Sequence, residues 1–521
     1  MKKISFFLTM LVAAVLLASC SKPQGANLVP DDAMFVMRFD PAQASSKSGL
    51  KDNSSELKKW IQDMTAEAGL SKAMREKLLD IIDDPTKTGI DLTEPLYCYA
   101  RMTKMTDVEF GLVGDMASES NLTDLLNAIA DETDQDEVEK TKNGSYCMQL
   151  GGDVAFIYND KWFFLGQAKN ADKMDARLQD RAGGKGSLQG NKAFEAMCEK
   201  DGVMQFLILY AGMANIPDFA QMEDFLPEGL KMEDLAVVAD LALNPGETTL
   251  TSEAVCLSDN WEQYMEKGKD MLKPIGSDQT KYISDQGFSL FCNLDTKDLF
   301  EYAQNALKYF DADDEDRNLV KTIVDALDGQ VSFDFHGISD GEAQMALYVG
   351  TRNSDPLNIL IAQMIGAETD EDGNFVQNEE FVTVGDNEYQ IPTAYDYDWT
   401  DDDFIRTVKQ WGLLGYRDGL SYFATDKDAA FAVPEKPYPA GLIKGSGFFA
   451  RFNFDFLNTV SGDDDEDPYS AVFSAVGDAF DCAEMYYTDD MKFILRLVNT
   501  DKQKNAVEVI TDLVKHFAEE D

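Results

Sequence analysis

The feature that most constrains how this chain can fold is that its parts recur along the sequence. Three segments carry a short apolar run closed by Asp or Asn: Phe35-Val36-Met37-Arg38-Phe39-Asp40, Leu290-Phe291-Cys292-Asn293-Leu294-Asp295 and Phe449-Ala450-Arg451-Phe452-Asn453. Each reads as a strand leading into a helix, because an Asp or Asn oxygen accepts an amide hydrogen that a helix start leaves unpaired. A second unit, Gly111-Leu112-Val113-Gly114 continuing to Ile129, is matched by Leu347-Tyr348-Val349-Gly350 continuing to Ile365 at a constant offset of 236. Leu125 and Ile129, like Ile361 and Ile365, stand four apart, which puts both on one helix face. Related strand-then-helix patterns run from Ile494 through Val498 to Val507, Ile510, Leu513 and Val514, and from Ala254 through Leu257 to Met271. A third unit is a hairpin, Tyr158 to Phe164 against Tyr416 to Tyr422, at an offset of 258, with the turn formers Asn159-Asp160 and Asp418-Gly419 at its tips. The change of offset predicts an insertion of roughly 22 residues in the second half, with the acidic stretches 370–374 and 396–403 as its sites.

These units predict an α+β chain, internally duplicated, of antiparallel sheets with helices packed on one face. The expected halves are residues 28–275, with modules at about 28–180 and 190–275, and residues 285–517, with modules at about 285–433 and 438–517. Before them stand two short segments of another kind. Lys2 and Lys3 followed by an apolar run from Phe6 to Leu17, too short for a membrane span, make residues 1–19 a signal peptide. Leu17-Ala18-Ser19-Cys20 resembles a bacterial lipobox, which makes Cys20 the lipid attachment site and residues 20–27 a lipidated tether. Two or three acyl chains on Cys20 hold a protein on a membrane stably. Some lipoproteins of Bacteroidetes-type bacteria carry an acidic run after this cysteine for export to the surface. Ser21-Lys22-Pro23-Gln24-Gly25 stands here instead, so the expected location is the outer membrane facing the periplasm, with the cell surface as the alternative.

The approach Pro30-Asp31-Asp32-Ala33 and the segment Gly89-Ile90-Asp91-Leu92-Thr93-Glu94-Pro95-Leu96-Tyr97 resemble an uncharacterised family of Bacteroidetes lipoproteins catalogued as a domain of unknown function. The likeness spans most of the mature chain. Its motifs are structural punctuation, so it implies localisation and duplication and transfers no catalytic residue.

Charge excludes one class of function. Removing Lys2 and Lys3 from 46 basic residues leaves 44 against 95 acidic ones, a mature charge of −51 that repels nucleic acid. Six cysteines follow Cys20, at 98, 147, 198, 256, 292 and 482, too irregularly spaced for a CxxC pair and expected as buried thiols. The two histidines, His336 and His516, are few for histidine chemistry, and no GxSxG, HExxH or GxxxxGK[ST] motif is present. The acidic runs Asp311 to Asp316 and Asp463 to Asp467 suit a hard cation without fitting an EF-hand loop. Asp370 to Asn374 begins like one, but Phe375 stands in place of the required glycine and Phe381 in place of the bidentate Glu. These runs are read as solvated loops, and no metal or cofactor is expected. Trp162 is expected in the core, and Trp399, among Asp396, Asp398, Asp401 and Asp402, as a loop anchor or a sugar-stacking platform.

Two functions fit. The first is a non-enzymatic cell-envelope lipoprotein, held on the membrane through Cys20, that binds a protein partner or ligand. The second is an envelope hydrolase acting on glycans through paired carboxylates. The lack of a nucleophile or metal signature favours the first, with an envelope protein or a glycan as the possible partner. A cleft lined by carboxylates of raised pKa would favour the second.

Overall fold

The computed structural model describes residues 24–47, 69–104, 107–133, 135–213, 229–296, 313–339, 341–359, 382–399, 404–427, 446–460, 468–488 and 490–520, with scattered positions between them. Residues 1–19, expected as a signal peptide, Cys20, Ile361, Ile365 and the acidic runs at 370–374 and 463–467 lie outside the described residues. The chain divides into two compact units, Met1–Glu262 with Gln503–Thr511 and Gln263–Lys502 with Asp512–Asp521.

In the first unit the strands are β1 Phe35–Phe39, β2 Leu96–Lys104, β3 Asp107–Asp115, β4 Glu139–Lys140, β5 Tyr146–Gln149, β6 Val154–Tyr158, β7 Trp162–Gln167, β8 Met204–Leu209, β9 Leu235–Asn244 and β10 Glu247–Cys256. They pair in the order β4-β5-β6-β7-β3-β2-β1-β8-β9-β10, every pair antiparallel. The helices here are α1 Pro41–Lys47, α2 Lys72–Asp83, α3 Glu119–Thr133, α4 Ala171–Ala182 and α5 Lys192–Cys198, with α6 Asp259–Lys269 crossing into the second unit. Asp40, expected as a cap, accepts through Oδ1 from Gln43 N at 2.9 Å; at two starts not singled out from the sequence, Ser71 Oγ accepts from Met74 N and Asn170 Oδ1 from Lys173 N.

The expectation of helices on one face is corrected in this unit. Ala155, Ile157, Trp162 and Phe164 join one core with Met174 and Leu178 of α4 and Phe194 and Met197 of α5. Phe156, Tyr158, Phe163 and Leu165 join a second core with Leu122 and Leu126 of α3. Successive residues of a strand point to opposite faces, so β6 and β7 are covered on both sides. Their sequences, Val-Ala-Phe-Ile-Tyr and Trp-Phe-Phe-Leu, already lack the alternation of a half-solvated sheet.

In the second unit the strands are β11 Phe288–Asn293, β12 Leu327–Ser339, β13 Glu342–Thr351, β14 Val382–Gly385, β15 Glu388–Trp399, β16 Phe404–Arg417, β17 Leu420–Ala424, β18 Phe448–Asn453, β19 Phe480–Tyr487 and β20 Phe493–Asn499. They pair in the order β14-β15-β16-β17-β13-β12-β11-β18-β19-β20, again all antiparallel. The helices are α7 Asp314–Ala326, α8 Asp455–Val460 and α9 Pro468–Ala479, while α10 Ala506–Glu520 begins in the first unit and ends in the second. Asn453 Oδ1 caps α8 by accepting from Asp455 N at 3.0 Å. The β16–β17 turn places Asp418 and Gly419 at φ 53° and 83°, the left-handed pair that a two-residue hairpin needs to match strand twist. Phe291, Tyr348, Tyr422 and Phe449 form this unit's main core.

The overall class is thus α+β with an extensive antiparallel sheet. Among the described residues, no helix is long and apolar enough to cross a membrane.

Candidate functional site

A group of charged side chains set into the core lies in the first unit, where β2, β3 and α4 meet. In the β2–β3 ladder Arg101 stands directly opposite Glu109. Two residues along β2, on the same face, is Tyr99. From α4, Arg177 and Arg181 are four apart and project from the stripe that also carries Met174 and Leu178. Four polar groups therefore converge on the Glu109 carboxylate. Arg101 Nη2 lies 2.7 Å from Oε2, Arg177 Nη1 3.5 Å from Oε2 and Arg181 Nη2 3.9 Å from Oε1, while the Tyr99 hydroxyl donates to Oε1 at 3.2 Å. Arg181 also donates to the Tyr99 hydroxyl at 3.2 Å, and Arg101 reaches both oxygens of Asp32.

Arg101 and Glu109 are each 9 % exposed and Arg181 4 %. Burial by itself would lower the Arg101 pKa, but the hydrogen bond and charge of Glu109, with Asp32 behind it, outweigh burial and hold the guanidinium firmly charged. Burial pushes the Tyr99 hydroxyl up to about 12, against the opposing pull of Arg181, so it remains a hydrogen-bond donor at neutral pH.

Beside this cluster opens a cavity of about 380 Å³ lined by Glu109, Gln167, Lys169, Asn170, Lys173 and Arg177. Asn170 caps α4, so the cavity also faces the positive end of a helix dipole. Counting the walls and the layer behind them, Arg101, Arg177, Arg181, Lys169 and Lys173 stand against Glu109 and Asp32. A chain of net charge −49 thus holds a locally cationic hollow with a partly desolvated floor. That arrangement concentrates positive potential where a small anion can enter.

Two other cavities differ in kind. One of about 240 Å³ in the first unit is lined by Asp136, Glu137, Glu139, Lys140 and Asp172. Hydrogen bonds from the Lys142 backbone and side chain hold the Asp172 carboxyl below its usual range, the opposite of what a general acid needs. The other, of about 210 Å³ in the second unit, is lined by Leu347, Val349, Leu357, Leu414 and Phe423.

A carboxyl that is held above its usual range, Asp115 at the end of β3, lines neither of the two first-unit cavities described above. Burial raises it; hydrogen bonds from the Gln24 and Gly25 amides partly oppose this, and the charge of Asp91 adds to it. Its role is to clamp the start of the fold, with Oδ1 accepting from both amides. Asp115→Asn keeps that acceptor and removes the buried charge, whereas Asp115→Ala leaves two amides unsatisfied. At pH 7 the Asn variant should be at least as stable as the parent and the Ala variant less stable by about 1–3 kcal/mol. The contribution of the protonated carboxyl is fully present below the ordinary value of 3.8 and is lost as pH rises through the higher folded value. Urea unfolding at pH 3.5 and pH 7 should therefore show the Asn variant gaining on the parent at the higher pH, and a gain at the lower pH would contradict it.

The residues singled out in the sequence are dispersed. His336 Nδ1 lies 3.2 Å from Asp334 Oδ2 without hydrogen-bond geometry, while Ser284 Oγ donates to Asp334 at 3.2 Å. A nucleophilic triad needs the histidine between serine and aspartate. Here the aspartate stands between, so Ser284, Asp334 and His336 cannot act as one. The side chains of His516 and Trp399 lie outside the described residues, and Trp162 is buried. The six cysteines after Cys20 are thiols, and burial pushes those of Cys98, Cys147 and Cys482 up to about 11, which makes them poor nucleophiles. In the acidic run at 311–316, Asp313 Oδ1 accepts from Asp316 N at 2.9 Å, a turn at the start of α7. Among the described residues, no group of three or more His, Cys, Asp or Glu is placed to hold a metal.

The Arg101, Glu109, Arg177 and Arg181 cluster was not singled out from the sequence. Its signal is a charged residue at a core-facing place: Arg181 continues the stripe of Met174 and Leu178, and Arg101 continues that of Tyr97 and Tyr99.

Comparison with known proteins adds a family and little else. The profile of a family described as "Domain of unknown function (DUF4836)" matches residues 26–394. No curated protein matches. Two solved structures of TP0453, in crystal forms IV and III, align at 14 % identity over 44 % and 49 % of this chain and 80 % and 90 % of theirs, with TM-scores of 0.25 and 0.26.

Proposed function

The chain belongs to the DUF4836 family, and from that premise we propose that it is a non-enzymatic cell-envelope lipoprotein, anchored through Cys20, whose first unit binds a small anionic ligand. The observation that carries this reading is the cationic cavity over the Glu109 cluster. The anchor rests on the Leu17-Ala18-Ser19-Cys20 lipobox, with the periplasmic face of the outer membrane as the location. A hydrolase working through paired carboxylates is less well supported, because Asp115, the carboxyl that burial holds above its usual range, lines none of the cavities described above.

The proposed function includes an internal duplication, supported by the strand orders. Adding ten to each strand number of the first unit gives the order of the second. The offset of 236 places Met345 where Glu109 stands, and the partner of Met345 across the β12–β13 ladder is Phe335, where the first unit has Arg101. On this reading the halves differ at this place by an ion pair in the first against an apolar pair in the second.

Calorimetric titration of the purified lipoprotein with inorganic phosphate and with citrate tests the binding. One or both should bind, and Arg177→Ala should weaken the affinity by about tenfold or more, the loss of one charge-assisted hydrogen bond. Arg177 is half exposed, so its removal should leave Tm nearly unchanged. No heat from either anion, or equal affinity in parent and variant, would remove the support for this site.

A further inference from the structure

Resting on the reading of Cys20 as the lipid anchor, we infer that the first unit meets the lipid surface end-on, through the 159–161 hairpin tip and the adjoining 116–118 loop. The argument is one of reach. The described chain begins at Gln24, four residues after Cys20, and is seated there on the end of β3. Gln24 and Gly25 both donate to the Asp115 carboxylate. Gly25 lies so close to β3 that a Cβ on it would come 2.5 Å from Gly114 Cα, and Leu28 and Val29 are fully buried just beyond. Four residues span at most about 14 Å, so a lipid on Cys20 keeps Gln24 within about that distance of the headgroups.

What stands beside Gln24 is then decided by the ladder. Asp115 is paired with Trp162, and Met116 N donates to Lys161 O at 3.1 Å, which brings the hairpin tip alongside the clamp. Ala117 and Ser118 donate to Gly89 O at the same end. The opposite end of β6, at Gly151 to Asp153, lies a full strand away, about 17 Å for five residues. The exposed tips nearest the clamp, Ala117, Asp160 and Lys161, sum to no net charge. Glu119 follows the 116–118 loop, so beyond those tips this end adds one acidic charge, a small share of the net charge of −49 that opposes an anionic headgroup layer.

The test places a benzophenone amino acid at position 160 or at position 153, both exposed, in the full lipoprotein reconstituted into phosphatidylethanolamine–phosphatidylglycerol vesicles. After irradiation, lipid adducts should form severalfold more at 160 than at 153. In an Asp115→Ala background the difference should shrink, while Asp115→Asn, which keeps the acceptor, should retain it. Mass spectrometry of the Cys20 peptide separates the two ways of failing. A Cys20 without lipid overturns the anchor and the orientation together. A lipidated Cys20 with adducts equal at the two positions, or greater at 153, overturns the orientation and leaves the anchor standing.

Discussion

Glu109→Ala is expected to destabilise the first unit by about 3–5 kcal/mol, because it leaves Arg101 and Arg181 charged and buried with their principal counter-ion removed. Asp32 still balances Arg101 in part, but its side chain is half exposed and touches only the outer nitrogen. Thermal unfolding should show a fall in Tm on the order of 10 °C for a unit of this size. Glu109→Gln, which fills the same volume and can still accept from Tyr99 and Arg101, should fall between parent and Ala variant. The same substitution links stability to the proposed ligand. With Glu109 gone the cavity floor is an unpaired cationic surface, so millimolar phosphate should raise the Tm of Glu109→Ala more than that of the parent. An unchanged Tm on removing Glu109 would mean that the guanidiniums reach water and that the cluster is not the desolvated site described here.

Phe164→Ala should cost about 3–5 kcal/mol, and it tests the packing that holds the same site in place. The Phe164 ring is fully buried and lies over two glycines. A Cβ on Gly111 would meet Phe164 Cε2 at 2.7 Å, and one on Gly166 would meet its Cζ at 2.8 Å. Gly111 is therefore required by the closeness of the ring and not by its backbone conformation, and Gly111→Ala should itself cost about 1–3 kcal/mol through overpacking. The two changes share one space, so the double variant should be less destabilised than the sum of the singles. The rescue should be partial, since the Tyr99 ring also stands 2.6 Å from that Cβ. Denaturant melts of the four proteins give the coupling, and strict additivity would show that the ring and the glycine do not compete for the volume.

Much of the architecture was legible in the sequence because its signals are local. The caps at Asp40 and Asn453 follow from side-chain chemistry acting over three residues or fewer, and the Asp418-Gly419 turn follows from which residues tolerate positive φ. The hairpin offset of 258 holds in register, since Tyr158 pairs with Phe163 and Tyr416 with Ser421. What local patterns left open was which faces are covered. Val154 to Tyr158 is apolar at every position, a pattern open to both a strand buried on two faces and a piece of buried helix, and the sandwiching of β6 between α3 and α4 depends on elements far along the chain.

The site illustrates the limit more sharply. Sequence by itself determined the acidic balance, the strand-and-turn units and the absence of familiar catalytic motifs, because each is written in neighbouring residues or in composition. Only the tertiary structure decided that Arg101, Glu109, Arg177 and Arg181 act together. They lie on two strands and a helix as many as 80 positions apart, and each taken alone is an ordinary charged residue in a chain that has many. Their properties arise from mutual distance and loss of water. A guanidinium 2.7 Å from a buried carboxylate differs from an exposed one through the low-dielectric surroundings that the fold creates.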